Sequence, residues 1–187
     1  MKLKALTICI LSSGIILSGS SSYAMNPEPN NELLQKYALS TGNFKDFKDL
    51  VVEYRSDGDT KGFADAYTQK LLKDVPQNSN LRTSPKQCYE TVDNFKKTYY
   101  KFQSDRPSED ASIVIPRWWW SDITVPATIV HDVTQQITQN LLYVADGQDG
   151  KYKISCDSNA ELANGIAFTG TILLDGYQYY MSSDNPQ

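Results

Sequence analysis

In the first half of the chain, apolar side chains return every three or four residues; in the second half they gather in short runs broken by glycine and aspartate. The first rhythm is that of helices with one buried face, the second that of strands joined by turns. Leu33, Leu34 and Tyr37 predict a short opening helix. Asn43 then suits an N-cap, and Phe44, Phe47, Val51 and Tyr54 line one face of a second helix. Arg55-Ser56-Asp57-Gly58-Asp59 should end it. Phe63, Tyr67, Leu71 and Val75 recur every fourth residue in a third helix, expected to stop at Pro76. The fourth is the best marked. Ser84, Pro85 and Gln87 make a capping box with proline at the first helical position, and Cys88, Val92, Phe95, Tyr99 and Phe102 form its inward stripe.

Past Pro107 the composition turns to β-formers. Ile113-Val114-Ile115 opens a β-rich stretch that passes through Trp118-Trp119-Trp120. Nine of the fifteen residues from 124 to 138 are Val, Ile or Thr, so strand is expected there. Val130, Val133, Ile137 and Leu141 would also line up on a helix. Residues 141–145 and 151–156 read as a hairpin turning through Asp146-Gly147-Gln148-Asp149-Gly150. Residues 166–174 and 177–181 read as a second, with Asp175-Gly176 as a two-residue type I′ turn. That register puts Ile172, Leu174, Tyr177 and Tyr179 on an inward face and Tyr180 on the outer one. Helices first and antiparallel strands second predict an α+β fold, with N-terminal helices packed on a C-terminal antiparallel sheet.

The residues ahead of this pattern read as a leader. Lys2 and Lys4 precede a largely apolar run over 5–17, and Ser22-Tyr23-Ala24 offers small residues three and one positions before a cut ahead of Met25. Residues 1–24 are therefore expected to be a cleavable signal peptide, leaving 25–187 as a single α+β domain with no membrane span of its own. Cleavage would leave two cysteines, Cys88 and Cys156, and an exported chain with an even count is expected to bond them. Closing a loop of roughly 70 residues contributes about 4 kcal/mol in the chain-entropy model. No Asn-x-Ser/Thr sequon occurs, which points to a bacterial protein of the periplasm or the medium.

Eighteen basic residues face 22 acidic ones, and two of the lysines belong to the leader. An acidic domain of this kind argues against nucleic acid as a partner. The stretch Leu33-Leu34-Gln35-Lys36-Tyr37, followed by Gly42-Asn43-Phe44 and the next helix, resembles the opening of NTF2-like cone folds. That resemblance covers about 25 residues. It implies N-terminal helices against a curved sheet and brings no functional residue with it.

Candidate chemistry is sparse. His131, the only histidine, is followed by Asp132, but no Gly-x-Ser-x-Gly elbow accompanies the pair. One histidine and two bonded cysteines leave no transition-metal set, so no metal or other cofactor is expected. Asp57-Gly58-Asp59 and the Asp146–149 turn lack the spacing of a calcium loop and suit turns instead. No catalytic residue is assigned. Glu53 with Asp57 or Asp59, or else His131, could serve a small secreted hydrolase acting on cell-wall or glycan substrates, the alternative reading.

Aromatic residues carry the main expectation. In Trp118-Trp119-Trp120 at least one ring must leave the core face of a strand, and Arg117 stands beside them. With Tyr180 they form the expected recognition surface: Arg117, Trp118, Trp119, Trp120 and Tyr180. The function class expected is an exported, non-enzymatic binding or interaction protein, its partner a protein or a small apolar or sugar ligand.

Overall fold

The computed structural model describes residues 44–57, 59–78, 82–116 and 121–182. The leader, the opening helix and the Asn43 cap lie outside them. Within the described residues helices dominate: α1 (Lys45–Asp57), α2 (Thr60–Asn78), α3 (Pro85–Ser104), α4 (Ala127–Ala145) and α5 (Ala160–Met181). Between α3 and α4 lies one ribbon of two short strands, β1 (Ser112–Ile115) and β2 (Ile123–Pro126). They pair antiparallel with Ile113 opposite Val125 and Ile115 opposite Ile123.

The α+β expectation is thus overturned, and with it the cone-fold architecture. Among the described residues there is no C-terminal sheet for the helices to pack on, and both expected hairpins are replaced by helix and loop. In α4 the β-branched residues fall at helical spacing, and Val130, Val133, Ile137 and Leu141 are all buried. Burial of that stripe outweighs their modest preference for strand, a preference that chiefly reflects packing context. Thr138 is accommodated by bonding back to the helix, its Oγ1 donating to the Thr134 carbonyl at 2.7 Å. The helix starts directly off β2, its first amide, Ala127 N, bonding the Ala111 carbonyl at 2.8 Å.

α5 overturns the Asp175-Gly176 turn for a different reason. The helix is apolar almost all round, so its sequence carries little periodicity. Its glycines serve close packing. A Cβ at Gly170 would lie 2.2 Å from the Phe95 ring, and one at Gly176 2.6 Å from Phe47 Cβ. Asn159 caps the N-terminus, its side chain accepting from Leu162 N at 3.1 Å.

The first half follows expectation closely. The Ser84 hydroxyl accepts from Gln87 N, the Gln87 side chain accepts from Ser84 N, and all five stripe residues of α3 are buried. α2 runs two residues past Pro76, to Asn78. α1 and α2 form an antiparallel pair joined by Tyr54–Phe63 ring contact and by the Lys70–Glu53 ion pair. Phe102 meets both His131 and Tyr177, and Phe95 meets Gly170, so α3 and α5 run parallel with α4 antiparallel beside them. Cys88 and Cys156 are at disulfide distance, their Cα atoms 5.5 Å apart. Cys156, however, sits in the loop before α5 and not on a strand. No described helix is long and apolar enough to cross a membrane.

Candidate functional site

Tyr180 is no part of an outer face. Only 5% of its surface is exposed, and its ring stacks on Phe47 at 5.6 Å. Burial pushes its hydroxyl up to about 12. The reason is the change from strand to helix: a position expected to point outward falls on the side of α5 that α1 covers. Arg117, Trp118, Trp119 and Trp120 lie outside the described residues.

His131 is a core residue. It is 1% exposed, stacks on Phe102 at 4.4 Å, and donates from Nε2 to the Phe102 carbonyl at 3.1 Å. Its Nδ1 lies 3.5 Å from Asp132 Oδ1, and Asp132 is gripped by both terminal nitrogens of Arg106 at 2.6 and 3.2 Å. The cluster ties the segment leaving α3 onto α4. With its imidazole enclosed, it offers a substrate nothing to touch. The carboxylates fare similarly: Glu53 is paired with Lys70, Asp146 with Lys96, and Asp149 accepts from the amides of Lys151 and Tyr152 in a turn. Among the described residues no three His, Cys, Asp or Glu side chains gather where they could hold a metal ion.

The aromatic surface lies elsewhere. Tyr89 and Tyr100 on α3 and Tyr143 on α4 are 51%, 55% and 53% exposed. Tyr89 and Tyr100 are eleven residues apart, three helical turns, and so share the outer face of α3. The Tyr89 hydroxyl donates to Asp157 at 2.8 Å, which raises the phenol's pKa. Tyr100 stands edge-on to the buried ring of Tyr99 at 5.5 Å. Tyr143 closes α4, its carbonyl accepting from Gln148 N.

Tyr89 and Tyr143 touch the loop between α4 and α5, and Tyr100 stands one turn along α3 from Lys96; the loop is irregular yet fastened to α3 at three points. Lys96 holds Asp146 at 2.9 Å, Cys88 meets Cys156, and Tyr89 holds Asp157. Gly147, at φ 73°, takes the left-handed conformation that glycine tolerates best. The Tyr152 hydroxyl bonds Gln69 on α2, and the Ser155 and Ser158 side chains bond each other. Sequence reasoning missed the loop and Tyr143 because it assigned 141–156 to a hairpin. For the tyrosines of α3 the signal was present: Tyr89 and Tyr100 interrupt the polar side of a helix whose inward stripe was already evident.

No family model, curated protein or solved structure matches the chain.

Proposed function

We propose that this is an exported, non-enzymatic interaction protein that recognises its partner through the tyrosine-bearing face of α3, α4 and the loop joining α4 to α5. The carrying observation is that α3 and α4 expose three tyrosines, two of them bonded to one cross-linked loop, while the only histidine is enclosed and its neighbouring carboxylate is paired. Tyrosine joins a broad apolar ring to a polar tip and is favoured where one surface meets another. The leader-like residues 1–24 and the bonded cysteine pair support export.

The test has two arms. The protein purified from its host should begin at Met25 and carry no free thiol. Immobilised full-length mature protein should then retain material from an envelope or medium fraction that a Tyr89→Ala/Tyr100→Ala/Tyr143→Ala variant does not. Equal retention by both, with the variant folded by circular dichroism, would rule this face out.

A further inference from the structure

We infer that one ordered water molecule is an integral part of this fold, held where α3, α4 and α5 meet by Tyr177 Oη, His131 Nδ1 and Asp132 Oδ1. The donors and acceptors that the protein itself brings to this point do not match. His131 Nε2 donates to the Phe102 carbonyl at 3.1 Å. A backbone carbonyl can only accept, so Nε2 carries the ring proton and the tautomer is fixed. Nδ1 is then a lone pair, and it faces another acceptor, Asp132 Oδ1, at 3.5 Å.

A direct bond between these two atoms would need a second ring proton. That would place a cation on a side chain only 1% exposed, beside the Arg106 guanidinium that already holds Asp132 Oδ1 at 2.6 Å. The 3.5 Å separation also lies at the outer limit of a hydrogen bond. A neutral donor that reaches both acceptors resolves the conflict.

Tyr177 carries the complementary mismatch. It comes from α5, is 2% exposed, and stands edge-on to Phe102 and His131, its ring centroid 4.9 and 5.7 Å from theirs. Its hydroxyl is buried and has no hydrogen-bond partner among the described residues. Burial raises the phenol's pKa, and the Asp132 charge raises it further while Arg106 opposes, so the hydroxyl feels that ion pair. Buried polar groups left unbonded are costly, and protein interiors meet them with ordered water. One water accepts from the Tyr177 hydroxyl and donates to Nδ1 and to Oδ1, about the usual number of bonds for a buried site. It joins three helices: α5 through Tyr177, α4 through His131 and Asp132, and the end of α3 through Phe102 and Arg106.

The chain has a single histidine, so its ring signals are read without overlap. Long-range nitrogen–proton NMR of the full-length mature protein at neutral pH should show Nε2 protonated and Nδ1 bare. A crystal structure that resolves ordered solvent should place a water about 2.7–3.2 Å from both Tyr177 Oη and His131 Nδ1. Tyr177→Phe removes one bond to that water and should lower the folded-to-unfolded ratio about three- to tenfold in chemical denaturation. The Nδ1 signal should move in that variant. Loss of a hydroxyl that bonded nothing would instead leave the ratio unchanged or raise it. A ring protonated on both nitrogens, a dry site in the crystal structure, or a Tyr177→Phe variant at least as stable as the parent would each overturn the bridging water.

Discussion

α3 and α5 lie side by side and parallel, yet they are held in opposite ways. α3 keeps one face in water and is secured at its ends and along one stripe: a capping box, a covalent link in its first turn, and five inward residues. α5 is wrapped by α1, α3 and α4, and its security is the closeness of packing at Gly170 and Gly176. The lesson is that the helix α3 rests on its cap, its link and its inward stripe, while its outer side chains Lys96 and Tyr89 serve to fasten the neighbouring loop. α5 is enclosed instead, and one of its enclosed groups is a liability. Asp175 keeps a sliver of exposed surface, but burial pushes its carboxyl up to about 6, with no ionic partner among the described residues.

The strongest way to break this contrast is to cut the link that α3 depends on. Replacing both Cys88 and Cys156 by alanine should lower stability by about 2–5 kcal/mol in chemical denaturation. Amide exchange should rise first in 146–158 and in the opening turn of α3. A loss below 1 kcal/mol would show that α3 is held by packing alone.

Asp175→Asn tests the other helix. A buried carboxyl near 6, against about 3.9 when unfolded, binds more protons folded than unfolded between those values. Stability must therefore fall as pH rises through that window, reaching a deficit of at most about 3 kcal/mol by pH 7. Asp175→Asn should raise stability at pH 7 by about 1–3 kcal/mol and flatten the fall between pH 4 and 6. A variant no more stable than the parent at pH 7 would mean the carboxylate is hydrated in place.

Gly170→Ala should destabilise by about 1–3 kcal/mol despite alanine's better helix propensity, because its methyl group meets the Phe95 ring. The same change in a Phe95→Leu background should cost much less, and additivity in that double-mutant cycle would refute the packing account. Ser84→Ala should cost about 1 kcal/mol through the lost cap. Tyr100→Ala, on the wet side of α3, should stay within about 0.5 kcal/mol in thermal unfolding.

These regions also differ in how far their structure could be read from residues. α3 announced itself, since Ser84, Pro85 and Gln87 mark its start and Cys88 to Phe102 hold one periodic stripe. The cysteine pairing was equally legible. α4 misled because its threonines, valines and isoleucines favour strands in most settings, whereas here their spacing buries one side of a helix. α5 misled more deeply. A helix enclosed on nearly every side shows no alternation of apolar and polar positions, so Asp175-Gly176 stood out as a turn when the glycine in fact admits Phe47. The candidate surface inherits that error in part: Tyr180 lies inward on a helix and not outward on a hairpin, and Tyr143 stands on α4 and not on a strand.

The loop fastened to α3 through Asp146, Cys156 and Asp157 has one more consequence. Its backbone is tied down at folding, so on the proposed reading a partner would spend little contact energy on ordering that stretch of chain. Such a surface should associate in a single kinetic phase, with rates set by collision and orientation and not by rearrangement.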